Sequence, residues 1–333
     1  MSVSLSCYPR LHLGLLDTAG VSSRVFGGAG FSLSGPTMVI DACASGQTRV
    51  SGHGLDSEDR AMLERLLDRT QVPPTDIRIK DLIPRHVGLG SGTLLAMGVL
   101  AAVNHLQGLR LSRDEISAMS ERGGASGIGW HAFWRGGFIV DSGQPNICQS
   151  LLPSGSSRPL ECPPLTAHLP VPSSWLFTLL LQSSELRVSG IRERTFFEQN
   201  TPTPARECLL AFAALYHAIV PAVATNNIGL LREGLCRYQS LGLKRLEIAY
   251  HGPPLRGLLD AINTVDGCAY GMSSLGPLVF TISDVRDAST TSAINDIATK
   301  FGITPISVGG RNFGHHLNGE ISCRVTRQSG NGR

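Results

Sequence analysis

Residues 84–93 read PRHVGLGSGT and lead directly into the apolar segment 94–103. Three glycines within five positions let the backbone approach a ligand closely. The first N–H groups of a helix have no partner within the helix and lie at the positive end of its dipole, where anions bind. The stretch therefore predicts a phosphate-binding loop on a helix N-terminus; the alternative is a turn that only caps the helix. The candidate binding residues are Gly88, Gly90, Ser91, Gly92 and Thr93.

Length and composition narrow the class of protein. The chain has 333 residues, of which 42% are hydrophobic, and one core rarely covers that length, so we expect two domains. The net charge of +3 is small and no Lys/Arg-rich block occurs, which argues against a nucleic-acid partner. No signal-like segment opens the chain and no long apolar run occurs, so we predict a cytoplasmic protein with no membrane partner.

The eight cysteines stand at positions 7, 43, 148, 162, 208, 236, 268 and 323, without a C-x-x-C pair. Such spacing argues against a zinc site or a redox motif. We predict reduced, mostly structural thiols.

Hydrophobic periodicity predicts an α+β pattern. In the first half we predict strands at 3–16, 37–44 and 136–141 and helices at 57–69, after residue 93 and from Ser112, where a capping box starts. In the second half we predict strands at 175–181, 278–284 and 303–308 and helices at 204–220 and 227–240. The segment 144–172 is rich in Pro, Ser and Gly and is predicted to be a long connection that contains the domain boundary.

The strand at 10–17 carries Arg10, His12 and Asp17 within an otherwise apolar sequence. Because side chains two positions apart on a strand share a face, Arg10 and His12 can both point into a cleft. Alternatively, His12 is a hydrogen-bonded core residue and Arg10 a solvated edge charge. All three residues are candidates for a site.

Further glycine-rich segments permit close backbone approach. Arg24 precedes the turn 27–30, which has the sequence GGAG. The turn 271–277 offers hydroxyl and N–H donors to a ligand, or is simply a hairpin turn. The loop 123–129 precedes the aromatic cluster 130–134, which either binds a planar ring or belongs to the core.

Taken together, 84–93 and 271–277 resemble the second and third motifs of the GHMP superfamily, named for galactokinase, homoserine kinase, mevalonate kinase and phosphomevalonate kinase. The resemblance implies a GHMP-kinase-like fold with an N-terminal ribosomal-S5-like domain, 1–165, and a C-terminal ferredoxin-like domain, 166–333. Within the superfamily, the chain most resembles the β-ribofuranosylaminobenzene 5'-phosphate synthases and related C-nucleoside synthases. The matching segments are 10–15 with Asp17, Arg24 with 27–30, 86–93, 126–129, 136–141 and 271–277.

Two departures from the family patterns bear on function. Kinases of the superfamily have a Gly-x-Asp whose carboxylate assists the attacking hydroxyl, whereas this chain reads Gly127-Ile128-Gly129. The synthases commonly have a glutamine after Gly-Ser-Gly-Thr, whereas Leu94 stands here. The first departure argues against a kinase, and the second favours a pyrazole over a benzoate as the acceptor.

The resemblance implies transfer of ribose 5-phosphate from 5-phosphoribosyl 1-pyrophosphate (PRPP) to the ring carbon of an aromatic or heteroaromatic carboxylate, with loss of pyrophosphate and CO2. Mg²⁺ is the implied cofactor, bound mainly through the diphosphate, and a homodimer is implied. The acceptor is a pyrazole dicarboxylate in C-nucleoside antibiotic biosynthesis, or 4-hydroxybenzoate or 4-aminobenzoate in methanopterin biosynthesis. The alternatives are an ATP-dependent small-molecule kinase and a non-catalytic protein that binds a phosphorylated metabolite.

Roles for individual residues are predicted on the same basis. PRPP contacts are expected from the glycine-rich residues named above and from Arg24, Gly28, Gly30, Ser273 and Ser274. The acceptor carboxylate is expected at Arg10, Arg192 and Arg194, since a guanidinium engages a carboxylate in two hydrogen bonds. Alternatively, Arg192 and Arg194 belong to a solvated strand or loop face. His86, His12 and Asp17 are the candidate catalytic residues.

Overall fold

A computed structural model describes residues 2–147, 152, 158–182, 187–188 and 190–320. Its strands are β1 (Ser2–Cys7), β2 (Arg10–Asp17), β3 (Arg24–Ser32), β4 (Met38–Ala44), β5 (Arg49–Gly52), β6 (Thr75–Lys80), β7 (Phe138–Asp141), β8 (Gln144–Pro145), β9 (Leu165–Leu169), β10 (Trp175–Leu181), β11 (Cys268–Met272), β12 (Leu278–Asp284), β13 (Ile306–Gly309) and β14 (His316–Glu320). Its helices are α1 (Ser57–Thr70), α2 (Ser91–Gln107), α3 (Arg113–Met119), α4 (Ile128–Arg135), α5 (Gly190–Asn200), α6 (Ala205–Ala214), α7 (Val220–Ala224), α8 (Ile228–Gln239), α9 (Gly242–Tyr250), α10 (Gly252–Asn263) and α11 (Ala288–Lys300), with a π-helical turn, Leu215–Ile219, between α6 and α7.

The strands form three sheets. One has the order β14-β1-β4-β6-β5, another β2-β3-β7-β9 with β8 on β3, and the third β11-β12-β10-β13. The pair β5–β6 is parallel and is joined by α1, whereas the other described pairs are antiparallel. The predicted α+β class is therefore confirmed.

Helix α2 packs against β1 and β4 and fixes the position of the glycine-rich loop that precedes it. Most of its side chains are buried, which reflects the apolar sequence of 94–103. A Cβ at Gly98 would lie 2.6 Å from Ile40 Cδ1 and 2.7 Å from Cys7 Sγ. The glycine thus allows the helix to lie directly on the sheet.

Several predicted elements match closely, among them α1, β10 and β12. Ser112 and Glu115 form both hydrogen bonds of the capping box at the start of α3. The segment 3–16 is two strands, because Tyr8 and Pro9 lie between β1 and β2. The long connection contains β8 and β9, so it is more regular than predicted.

Strand pairing crosses the predicted domain boundary. β9, Leu165–Leu169, pairs with β7, so residues on both sides of position 165 share a sheet. β14 returns from the end of the described chain to pair with β1. The division at 165/166 stays a prediction. Two of the sheets contain strands from both sides of it.

One cysteine differs from the prediction of reduced thiols. Cys43 is disulfide-bonded, so the prediction of reduced thiols is wrong at that position, whereas Cys7, Cys162, Cys208, Cys236 and Cys268 are free. Cys148 and Cys323 lie outside the described residues.

Among the described helices, the stretch Ala205–Ala224 is long and apolar enough to cross a membrane. It contacts α8 through buried residues, as a core helix also does.

Candidate active site

Two glycine-containing loops meet at the N-terminus of α2. Gly88, at φ 100°, and Gly276 have no room for a Cβ, because it would collide with the backbone of Ser273 and of Val87, respectively. Ser273 Oγ donates a hydrogen bond to Gly88 O at 2.7 Å and accepts one from His12 N at 3.0 Å. Ser273 therefore connects both loops to β2. The two glycines allow the loops to pack directly against each other.

The glycine-rich loop opens into a cavity of about 190 Å³, the glycine-loop pocket. Gly90, at φ 76°, is the N-cap of α2 and contributes no capping side chain, so the first N–H groups of the helix are left for a ligand. The pocket lining comprises Arg10, Glu58, Arg85, His86, Gly88, Gly90, Ser91, Gly92, Thr93, Arg122, Val188, Gly190, Glu193, Ser274, Leu275 and Gly276.

Three arginines give this pocket its charge. Arg85 is balanced by Asp59, at 2.9 Å. Arg10 donates to Gly88 O at 2.8 Å, and burial lowers its pKa to about 10. The buried Arg122 lies beside Gly92, and burial lowers its pKa too, followed by the charge of Arg85. Within the described chain, Arg10 and Arg122 have no carboxylate ion-pair partner, so both charges are available to an anion.

A second cavity of about 90 Å³, the strand pocket, adjoins the first and shares with it Arg10, Thr93, Glu193 and Ser274. Its other lining residues are His12, Leu15, Gly123, Gly124, Ala125, Ser126, Gly129, Trp130, Leu152, Phe197 and Glu247. Apolar and aromatic side chains with a few polar groups are typical of a pocket for a small organic ligand. Trp130 thus joins both the core and the pocket wall, as the two interpretations of the aromatic cluster anticipated.

Acidic side chains stand where the pockets meet. Burial, followed by the charge of Glu247, raises the pKa of Glu193 to about 7. Glu247 forms an ion pair with Lys244, which is buried and donates to Ser274 O at 2.8 Å. Lys244 thereby holds the 271–277 turn against α9.

Asp17 and Arg24 hold loops rather than line either pocket. Asp17 accepts hydrogen bonds from the backbone N–H groups of Ala19, Gly20 and Val21 at 2.8–3.0 Å. Arg24 donates to Ser142 O and Gly143 O and pairs with Glu161. The structure gives both residues a supporting position, away from the pocket surfaces.

Gly28 and Gly30 also lie inside the fold. A Cβ on Gly28 would lie 2.9 Å from Gly14 O and 3.1 Å from His12 Nε2, and one on Gly30 would collide with Leu11 O. They allow β3 to pack against β2 and the His12 ring.

The exposed face of α5 carries Arg192 and Arg194, of which Arg194 pairs with Glu198. The helix turns Glu193 and Phe197, four residues apart, toward the pockets instead. His86 does line the glycine-loop pocket, and burial lowers its pKa, as does Arg85.

Sequence reasoning missed Arg85, Arg122, Glu193 and Ser126 as residues that line the pockets. Ser126 lies in the segment 126–129, which resembles the family, and Arg85 lies within the loop 84–93. A helix predicted at 190–200 would have placed Glu193 on a different helix face from Arg192 and Arg194. Among the described residues, no group of three or more His, Cys, Asp or Glu side chains could hold a metal ion.

Comparison with known proteins bears on both fold and family. Residues 60–137 match the model of the GHMP kinases N terminal domain. Homoserine kinase from Cytophaga hutchinsonii superposes with a TM-score of 0.66 at 13% identity, covering 95% of this chain and 97% of that chain, so the predicted GHMP fold is confirmed.

Two curated relatives match nearly the whole chain. The β-ribofuranosylphenol 5'-phosphate synthase of Methanothermobacter thermautotrophicus is 31% identical over 316 residues, 92% of this chain and 95% of that protein. The synthase of the same name from Archaeoglobus fulgidus is 30% identical and covers 86% and 90%. Together with the glycine-loop geometry, these matches show that the chain belongs to the β-ribofuranosylphenol 5'-phosphate synthase family of the GHMP superfamily.

Proposed function

We propose that this chain transfers ribose 5-phosphate from PRPP to the ring carbon of an aromatic or heteroaromatic carboxylate, releasing pyrophosphate and CO2. The observation that carries the proposal is the glycine-loop pocket, where Arg10 and Arg122 stand without carboxylate partners beside the N-terminus of α2. A polyanion fits that arrangement. The adjoining strand pocket, with Trp130 and Phe197, suits a planar ring.

The chemistry requires stabilisation of the departing pyrophosphate. Backbone N–H groups of Ser91 and Gly92 and the guanidinium groups of Arg10 and Arg122 would hold the charge that develops as the C1'–O bond breaks. Mg²⁺, bound through the diphosphate oxygens, would neutralise further charge there. The ring carbon that carries the carboxylate then attacks C1' of the oxocarbenium-like ribose, and loss of CO2 restores aromaticity. Holding the ring face-on to C1' is the main demand on the strand pocket.

Arg10 lines both pockets and is the residue we propose for the acceptor carboxylate. Leu94 is 2% exposed, belongs to the core and lines neither pocket, so its identity carries no information about the acceptor. The relatives are named as synthases of a ribofuranosylphenol phosphate, and a phenol product supports 4-hydroxybenzoate as the first acceptor to test. Aminopyrazole dicarboxylate and 4-aminobenzoate are the competing acceptors.

The kinase alternative lacks a carboxylate at the expected position. The position of the kinase aspartate is occupied by Gly129, which lines the strand pocket but has no side chain to assist a hydroxyl. The solved kinases resemble the chain at only 13–15% identity, which supports the fold alone.

The test is a pyrophosphate-release assay with PRPP, Mg²⁺ and each acceptor, with mass spectrometry of the product. We expect acceptor-dependent release and a decarboxylated C-riboside. Ser91→Ala and Arg10→Ala should each lower turnover at least ~10-fold, while Arg194→Ala, a surface control, should not. Absence of release with every acceptor, accompanied by ADP formation from ATP, would replace the proposal with a kinase.

A further inference from the structure

A chain of three side chains runs from the buried end of β7 to the strand pocket. Ser126 Oγ donates a hydrogen bond to Asp141 Oδ2 at 2.7 Å, and His12 Nε2 lies 3.2 Å from the same Oγ. Asp141 is fully buried, and its other oxygen accepts from Gly143 N at 2.8 Å. Ser126 and His12 both line the strand pocket, so the chain of hydrogen bonds ends at the wall of that pocket.

The hydrogen-bond pattern fixes the tautomer of His12. A serine hydroxyl has one proton and two lone pairs. Ser126 gives its proton to the Asp141 carboxylate and accepts from Ile128 N at 3.3 Å. Its remaining lone pair can only accept, so His12 Nε2 carries the hydrogen. Nδ1 is then the unprotonated nitrogen of a neutral imidazole.

His12 is only 8% exposed. Its Nδ1 is buried and has no hydrogen-bond partner within the described chain. Burial, followed by the charges of Arg10 and Lys244, lowers the pKa of this imidazole well below its usual value. The ring therefore stays neutral, and a buried acceptor without a partner is costly unless a ligand satisfies it.

We propose that His12 Nδ1 accepts a hydrogen bond from a hydroxyl, amino or ring N–H group of the acceptor, with Ser126 and Asp141 as positioning residues. The proposal rests on the proposed function and specifies its substrate: a planar carboxylate whose far side carries a proton donor.

The spacing on β2 fits such a substrate. Arg10 and His12 are two residues apart on a regular part of the strand, where β2 pairs in register with β3, and they share a face, with Cα atoms about 6.7 Å apart. Both side chains line the strand pocket, so in the proposed pose one planar acceptor contacts Arg10 through its carboxylate and His12 through its opposite ring substituent.

The contact would also accelerate attack. As the ring carbon bonds to C1', the para oxygen or nitrogen donates electrons into the ring, and its proton becomes more acidic. A hydrogen bond to Nδ1 strengthens with that charge, so it stabilises the transition state more than the bound acceptor.

The first experiment observes His12 directly in the full-length protein, without turnover. Among the ten histidines, the ¹⁵N signals of His12 are identified by their loss in His12→Gln. We expect the Nε2–H tautomer and, with Mg²⁺ and pyrophosphate present, a shift of the Nδ1 signal on adding 4-hydroxybenzoate but not 4-methoxybenzoate. A Nδ1–H tautomer, or no response specific to the hydroxyl, would overturn the proposal.

Two replacements at position 12 separate the contacts. Glutamine places its amide near the position of Nε2, where it can keep the Ser126 contact, whereas asparagine places an amide near Nδ1. We expect His12→Gln to lose ~10- to 100-fold of the kcat/KM preference for 4-hydroxybenzoate over 4-methoxybenzoate, and His12→Asn to retain more of it. An unchanged preference in His12→Gln would contradict the proposal.

The positioning roles have their own readout. Ser126→Ala should let His12 populate the other tautomer in the ¹⁵N spectrum and lower kcat more than it raises KM, because the contact strengthens in the transition state. An unaltered tautomer would remove Ser126 and Asp141 from the proposal. If the His12 signals respond as expected but no acceptor releases pyrophosphate, the proposed reaction fails while the contact stands.

Discussion

Replacing Arg122 by methionine should weaken pyrophosphate binding and stabilise the ligand-free protein at the same time. Arg122 is only 8% exposed, and its guanidinium has no hydrogen-bond or carboxylate partner among the residues that the structure describes. Burial is the main cause of its lowered pKa, and the charges of Asp59, Glu121 and Glu58 oppose it only in part, so the free protein bears a net desolvation cost. A bound anion removes that cost, and a methionine of similar length never incurs it.

The expected changes in pyrophosphate affinity and in stability follow from the bound and the ligand-free states, respectively. A hydrogen bond to a charged group contributes about 1.5–3 kcal/mol, so loss of the Arg122 contact should raise the Kd for pyrophosphate roughly 10- to 150-fold. Replacing a buried charge by a well-packed apolar side chain stabilises proteins by about 1–4 kcal/mol where it has been tested. We expect the lower part of that range, since Arg122 keeps some contact with solvent.

Titration calorimetry with pyrophosphate and Mg²⁺, and urea unfolding without ligand, measure both effects. Arg194→Met is the control, because that arginine is exposed, pairs only with Glu198 and lines neither pocket. Arg122→Lys should recover part of the affinity because it keeps the charge. A variant Arg122→Met that binds pyrophosphate as tightly as the parent, or that is markedly less stable, would refute the reasoning.

Three further outcomes are expected. Leu94→Gln should lower the free energy of unfolding by ~1–3 kcal/mol, because it buries an amide in the core, without changing the preference among acceptors in the kinetic assay. The double variant Arg192→Ala with Arg194→Ala should keep the KM of the parent for every acceptor, since both side chains are exposed; a large rise in KM would return them to the site. Burial raises the pKa of Asp141 to about 6 against the hydrogen bonds it accepts and the charge of Arg24. Stability should therefore fall as pH rises from about 4 to 6, whereas kcat should rise through about 6 as the carboxylate ionises; Asp141→Asn should abolish both trends in unfolding and rate measurements.

The sequence was sufficient to predict the glycine-rich loop and the helix after it, because one continuous segment builds both. Glycines and an apolar helix in the order of 84–103 specify a loop, a helix N-terminus and the burial that holds it. The capping box at Ser112 was equally local. Arg122 was missed because nothing near it in sequence indicates that the segment after α3 faces Gly92, a contact that depends on tertiary packing.

The predicted acceptor arginines show how local pattern misleads when the element is not predicted. Without a helix at 190–200, Arg192 and Arg194 suggested a basic site wall. On α5, however, residues four apart share a face, so Glu193 accompanies Phe197 into the strand pocket while both arginines face outward. The pocket wall at α5 therefore carries the carboxylate of Glu193, whose pKa is raised to about 7, instead of the two predicted arginines.

The glycines of the family motifs divide by role, and that division explains how one fold supports both pockets. Gly90 lines the glycine-loop pocket at the start of α2, whereas Gly28 lets β3 approach the His12 ring and Gly276 lets the second loop approach Val87. Close approach by such glycines brings Ser273 under the anion loop and against β2, where it bonds to Gly88 O and to His12 N. The same serine therefore connects the loop proposed to hold pyrophosphate with the strand proposed to hold the acceptor, so a shift in either is transmitted to the distance between the two reacting carbons. Precise placement of two bound substrates is what a reaction driven by orientation requires, and here it depends on backbone contacts that any larger side chain would separate.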